Sequence, residues 1–255
     1  MSLHLRSIEK REEGEGFPFD LPPIRSLTTL AIESPVVILV GDNGSGKSTL
    51  LEALAIATER VVVGGTPLER DPTLDAIRPL AAALRVGWTR RTRKGFFLRA
   101  EDFFNFSRRN REIRDDMQGL ADRFADDPRV RGYMLGQKRA VEERYGELGA
   151  LSHGESFLHL LRSRVVPNGL YLLDEPEAAL SPRGQLALLS LLKLEVERGS
   201  QFVIATHSPF VLSYPEAAVW SFEPEGIQAR SYEELDHVRL TRDFLKAPER
   251  YWRHL

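Results

Sequence analysis

The sequence predicts an α/β fold, a mostly parallel sheet flanked by helices. Three observations predict it. Val36–Val40, Leu170–Leu173 and Phe202–Ala205 are short, continuous apolar runs without polar alternation, the mark of strands buried on both faces. Helical stretches follow from Ser48 to about Glu59 and from Pro182, and another starts at Gly154. Strands that alternate with helices pair in parallel, because a parallel neighbour is reached through a crossover connection.

The remaining elements follow in chain order. Leu3–Glu9 and Leu27–Ile32 read as strands, and the Gly-, Glu- and Pro-rich Glu12–Pro23 between them reads as loop. Leu80–Trp88 and Phe96–Arg99 read as strands joined by the basic turn Arg90–Gly95. From Glu101 to about Gly149 the chain is polar, rich in Arg and Asp, and helical in character, a subdomain of about residues 101–150 within a single domain of 1–255. Leu240–Leu255 reads as a helix packed on the outside. There is no internal repeat and no sustained heptad pattern.

Composition excludes several classes. The chain has 255 residues, 42% hydrophobic and 28% charged, with no low-complexity tract, so it is globular rather than disordered. With no cysteine there are no disulfides or zinc–thiolate sites. The apolar runs are far too short to span a bilayer, and charged Met1–Arg11 does not read as a signal peptide. The expected location is the cytoplasm. A formal net charge of −2 gives no global reason for nucleic-acid binding.

The strongest motif is Gly41-Asp42-Asn43-Gly44-Ser45-Gly46-Lys47-Ser48, a P-loop of the form G-x-x-x-x-G-K-[ST], between a buried strand and a helix. Its glycines admit backbone torsions that turn amide N–H groups toward phosphate, and the helix start adds partial positive charge. Lys47 supplies a cation for the β- and γ-phosphates. The Ser48 hydroxyl can ligate Mg²⁺, and Thr49 can reach the α-phosphate.

A second motif ends the strand Leu170–Leu173 in two acids. Asp174 is placed for the Mg²⁺ shell and Glu175 for polarising an attacking water. A strand followed by turn-forming acids is common, so this pair gains its meaning beside a P-loop. In the third, Leu151-Ser152-His153-Gly154-Glu155, Ser152 and Glu155 fit an S-x-x-E capping box. The same Ser152 hydroxyl and Gly154 amide can form an anion site at a helix start. The fourth, Thr206-His207-Ser208-Pro209, follows strand Phe202–Ala205. His207 there is either a polar strand-end residue or an imidazole that orients water at the γ-phosphate.

In this order, with Ala179-Leu180-Ser181-Pro182 after Asp-Glu-Pro, the motifs resemble the ABC-type ATPases over about Leu27 to Val211. The resemblance implies an ABC-ATPase-like P-loop NTPase fold, with antiparallel N-terminal strands and a small helical subdomain. It implies ATP and Mg²⁺ as ligands, and an ATP-dependent head-to-tail homodimer in which Ser152 and Gly154 act on the other subunit's nucleotide. Glu175 becomes the catalytic base, His207 the switch histidine and Ala179–Pro182 the D-loop. Leu-Ser-His-Gly-Glu and Asp-Glu-Pro-Glu are unlike the usual transporter sequences. They are similar to the soluble AAA-, SMC- and RecF-like branch and the compact "predicted ATPase" group within it. That branch implies a role in DNA maintenance or defence, and a membrane permease is not the expected partner; the alternatives are the nucleotide-binding subunit of a transporter and a nucleotide-gated binding module with little turnover. The Gly64–Ala150 interval is too short and irregular for a long coiled-coil arm.

The sequence departs from the family pattern in places. No Q-loop glutamine is evident. Glu101 holds that place, either as a Mg²⁺ or water contact or as a helix-start acid. Phe17, Phe19 and Arg25 are candidates for contact with adenine, although the two phenylalanines equally suit a core. The arginines between Arg85 and Arg114 are either a nucleic-acid patch or a solvated rim partly paired with Asp102, Glu112, Asp115 and Asp116.

Overall fold

The computed structural model describes residues 3–145 and 153–253. Its elements run β1 (Leu5–Lys10), α1 (Pro22–Arg25), β2 (Thr29–Ala31), β3 (Val36–Gly41), α2 (Lys47–Ala57), β4 (Val61–Val62), α3 (Arg78–Ala83), β5 (Leu84–Trp88) and β6 (Phe96–Arg99). There follow α4 (Ala100–Arg123), α5 (Pro128–Tyr145), α6 (His153–Arg164), β7 (Leu170–Asp174), α7 (Pro182–Glu197), β8 (Gln201–Ala205), α8 (Pro209–Leu212), β9 (Ala218–Glu223), β10 (Gly226–Arg230), α9 (Asp236–Lys246) and α10 (Pro248–Trp252).

The main sheet has the order β10-β9-β3-β8-β7-β6-β4, and every neighbouring pair is parallel except the β9–β10 hairpin. A second, antiparallel sheet has the order β2-β1-β5. The apolar runs are buried on both faces as their composition requires. Val37 and Leu39, Leu170 and Leu172, and Val203 and Ala205 face one core. It contains α2 and the antiparallel sheet, with Leu5, Ile8, Leu50 and Leu54. Val36, Ile38 and Val40, Tyr171 and Leu173, and Phe202 and Ile204 face the other, beneath α6 and α7, with Phe157, Leu161, Leu188 and Leu192. Two-residue alternation thus divides each strand between two cores.

Leu80–Trp88 is half helix. Pro79 stands in the first turn of α3 and Ala81–Ala83 favour its continuation, so strand β5 begins only at Leu84. The stretch after Glu101 forms α4 and α5, which pack on each other. The C-terminal part holds three elements that the sequence reading did not resolve, α8, β9 and β10. β9 lengthens the main sheet beside β3, and the Leu240–Leu255 region is divided between α9 and α10. Among the described residues no helix is long and apolar enough to cross a membrane.

The arginines between Arg85 and Arg114 are spread over several partners rather than gathered. Arg85 lies 4.0 Å from Glu9, Arg91 3.6 Å from Glu59 and Arg108 3.9 Å from Glu112, all exposed. Arg90 donates to Asn168 Oδ1. Arg99 is buried with carboxylates. Arg111 and Arg114 have no described side chains.

Candidate nucleotide site

The site is built on the shared end of β3, β8 and β7. Because these strands are parallel neighbours, the turns that follow them emerge together. Such a strand-end crevice is where α/β sheets receive ligands.

The turn after β3 is closed by glycine chemistry. Gly41 has φ 149°, and a Cβ there would sit 2.6 Å from the Phe222 carbonyl oxygen and 2.9 Å from Ser45 Oγ. Gly46, the residue before α2, has φ 101°. The Lys47 ammonium donates to the Gly41 and Asp42 carbonyls at 2.8 Å each, inside the turn. Burial lowers its pKa below the usual lysine range, while Glu175 and Asp174 act in the opposite direction. Ser45 Oγ is buried with no hydrogen-bond partner among the described residues. A buried ammonium and a helix N-terminus on one cavity suit an anion with several oxygens.

Next to Lys47, Ser48 Oγ donates to Asp174 Oδ1 at 3.0 Å. Burial pushes the Asp174 carboxyl up to about 7, with the Ser48 hydrogen bond opposing it. Two hard oxygen donors this close, one on a carboxylate in want of a cation, fit Mg²⁺ completed by phosphate oxygens and water. The raised pKa has a consequence for stability. The folded chain prefers neutral Asp174, so this preference contributes fully below the unfolded pKa of about 3.9 and is lost as pH rises through 7. In chelator-treated protein, Asp174→Asn is therefore expected to raise the melting temperature at pH 8 and to leave it nearly unchanged at pH 4. Each kcal/mol is worth about 2–4 °C in a chain of this size. A lower melting temperature than wild type at pH 8 would contradict the assignment.

Glu175 follows Asp174 in the left-handed conformation, φ 48° and ψ 48°, uncommon for a residue with a side chain. Its N–H donates to the Ala205 carbonyl at 2.9 Å, which fixes the turn after β7 to the end of β8. His207 Nε2 lies 3.9 Å from Glu175 Oε1 and is buried without a hydrogen-bond partner among the described residues. A cavity of about 620 Å3 is lined by Phe17, Asn43, Gly44, Gly46, Lys47, Ser48, Thr49, Glu175 and His207. A neighbouring one of about 410 Å3 is lined by Ser48, Glu52, Arg99, Glu101, Asp174 and Glu175.

The other predicted residues fall as follows. Glu101 stands in the first turn of α4, 3.8 Å from Arg99 Nε, with its exposed side chain on the second cavity. Gly154 lies in the first turn of α6, where an added Cβ would meet the Ala179 carbonyl oxygen at 3.0 Å. That places Gly154 against Ala179 and Leu180 of the same chain. Ser152 lies outside the described residues. Among the aromatic candidates Phe17 reaches the nucleotide cavity, Phe19 is buried in the core, and Arg25 is exposed away from the lining.

Two features escaped the sequence reading, apart from the expected pairing of the basic stretch with Asp102. Glu177 gathers the Thr206–Ser208 loop on its carboxylate. The Arg99 guanidinium, at the end of β6 and in register with Asp174, donates to Asp102 Oδ2 at 2.7 Å, Asp71 Oδ2 at 2.8 Å and Glu52 Oε1 at 3.2 Å. Burial works to lower its pKa, but hydrogen bonds to Asp102 and Asp71 outweigh it and raise it. Burial also raises Glu52, against the pull of Arg99. An acid near an arginine in sequence is too ordinary a pattern to reveal either arrangement.

A protein-family model described as "AAA domain, putative AbiEii toxin, Type IV TA system" matches residues 71–213, more than half of the chain. The chain belongs to this AAA domain family. A second AAA domain model matches residues 5–67, the part with the P-loop. The motif order and the relatives are those of ABC-type ATP-binding proteins. The Haloferax volcanii "Probable anion import ATP-binding protein" is 31% identical over 189 residues, 70% of this chain and 65% of that protein. Phosphate import ATP-binding protein PstB 2 of Natronomonas pharaonis is 28% identical over 212 residues, 76% of this chain and 69% of the relative. The chain thus spans 65% of the length of the first of these relatives and 69% of the second. Its fold matches a solved structure described as "An inward-facing conformation of a putative metal-chelate type ABC transporter", with TM-score 0.50 and 17% identity, over 94% of this chain and 88% of that one.

Proposed function

We propose that the ATPase binds Mg·ATP at Gly41–Thr49 and hydrolyses it at composite sites formed by a head-to-tail pair of chains. The observation that carries this reading is the convergence of Lys47, Ser48, Asp174, Glu175 and His207 on two adjoining cavities at one sheet end. Each residue has a task that its surroundings suit. The turn amides and Lys47 hold the phosphates. Ser48 and Asp174 hold Mg²⁺, which, when bound, neutralises developing charge on the phosphate oxygens. Glu175 accepts a proton from water, and His207, 3.9 Å away, orients that water. Glu101 approaches the same metal side as a second acid. Ser152 and Gly154 complete the neighbouring chain's site from the start of a helix. Positioning and electrostatics supply most of the acceleration.

A composite site has a kinetic signature. Specific activity should climb steeply with protein concentration and level off once chains pair. Steady-state phosphate release over a wide concentration range checks this, and activity independent of concentration would remove the shared-site part of the proposal.

The relatives' names favour a second reading, an ATP-binding subunit coupled to a membrane permease. Co-purification with a membrane protein from detergent extracts would favour it. Stimulation of hydrolysis by DNA or RNA would favour the role in DNA maintenance or defence that the signature and Asp-Glu-Pro-Glu sequences suggest.

A further inference from the structure

Glu177 lies two residues beyond Glu175, in the single 3-10 turn Pro176–Ala179 that follows β7. Its Oε1 accepts from Thr206 Oγ1 at 2.6 Å, from the His207 N–H at 2.7 Å and from the Ser208 N–H at 3.1 Å. Thr206 Oγ1 also accepts from the Ser208 N–H at 3.0 Å, so the loop closes around one carboxylate oxygen. The other oxygen, Oε2, is buried and has no partner among the described residues. The three donors on Oε1 are therefore what compensates this acid within the described residues. Such charge-assisted bonds are the strong ones. Thr206 and Ser208 are buried, whereas the His207 side chain reaches past them to the cavity shared with Glu175. On the far side Ser208 Oγ donates to Gln185 and accepts from the N–H groups of Phe210 and Val211. The loop is thus anchored to α7 and α8 at one end and to Glu177 at the other. The Glu177 carbonyl also accepts from the Leu180 N–H at 2.8 Å, which ties the Ala179–Pro182 segment to the same residue.

We propose that Glu177 is a positioning residue for hydrolysis: its carboxylate fixes the Thr206–Ser208 loop so that His207 Nε2 faces Glu175. The proposal rests on the reading of His207 as part of a hydrolytic site. Glu177 is not itself in the lining of the nucleotide cavity, so it acts through His207 and leaves nucleotide binding to the P-loop. A misplacement of about 1 Å in such a group lowers turnover by on the order of 100-fold.

The test is a double-mutant cycle on the full chain, with kcat and KM for Mg·ATP and nucleotide affinity measured separately. Glu177→Ala is expected to lower kcat by on the order of 100-fold with affinity unchanged. In a His207→Ala background it should have almost no further effect, because the residue it positions is gone. Glu177→Gln keeps the Oε1 acceptor and should restore most of the turnover. If Glu177→Ala does not fold, Thr206→Val takes its place: it removes two bonds of the loop and should also be silent in the His207→Ala background. The proposal is overturned if the two losses multiply, if affinity falls in step with kcat, or if Glu177→Ala turns over normally. A wild-type chain with no turnover, or a fully active His207→Ala, instead overturns the underlying reading and takes the proposal with it.

Discussion

Glu175→Gln is expected to lower kcat by about 100- to 10,000-fold while nucleotide affinity stays near that of wild type. Glutamine matches glutamate in shape but cannot take a proton at neutral pH. The backbone that aims residue 175 is held independently of its side chain, through the hydrogen bond to Ala205, so the substitution leaves the turn in place. The same variant should accumulate as an ATP-bound dimer, because binding proceeds and cleavage does not. Phosphate release and light scattering with Mg·ATP check the two halves. Turnover at the wild-type rate would remove Glu175 from the chemistry.

Arg99→Met is expected to destabilise the fold by about 3–5 kcal/mol, since it leaves buried carboxylates without their counter-charge. Asp71 and Asp102 have side chains exposed by only 7% and 11%, and Glu52 by 17%, so water cannot readily replace the guanidinium. The three acids also come from separate places: the turn before α3, the start of α4 and the P-loop helix α2. One arginine therefore fastens the helical hairpin to the nucleotide-binding core. Urea denaturation should show a midpoint lower by about 1–2 M. Arg108→Met supplies the contrast, since its partner Glu112 lies 3.9 Å away on an exposed helix face. Exposed i,i+4 pairs contribute about 0.3–0.5 kcal/mol. Equal stability of the Arg99 and Arg108 variants would refute the account of the cluster.

The parts legible in the sequence were those where local pattern and tertiary role coincide. Val36–Val40, Leu170–Leu173 and Phe202–Ala205 are buried on both faces, so their composition alone marks them as central strands. The P-loop was legible because the close approach of Gly41 to Phe222 and the left-handed torsion at Gly46 leave little choice of residue. Asp174 and Glu175 were legible because the strand before them is continuous and apolar. Leu80–Ala83 misled because a buried helix and a buried strand share a short apolar signature, and the alanines favoured the helix. β9 and β10 are near the sheet edge, where pairing rather than composition defines the strand. Glu177, and Arg99 beyond its pairing with Asp102, were illegible for a different reason. Their roles lie in partners 29 and 47 positions away in sequence, at Thr206 and Glu52, and no local pattern encodes such a distance.

The central claim is that Lys47 and the turn amides form a nucleotide phosphate site. Isothermal titration of the full chain with Mg·ATP, wild type against Lys47→Ala in the same buffer, tests it most directly. One ATP per chain is expected for wild type, with a loss of affinity of at least about 10-fold in the variant, the removal of one charge-assisted contact of about 1.5–3 kcal/mol. A wild-type chain that takes up no ATP, or a Lys47→Ala chain that binds it equally well, would contradict it.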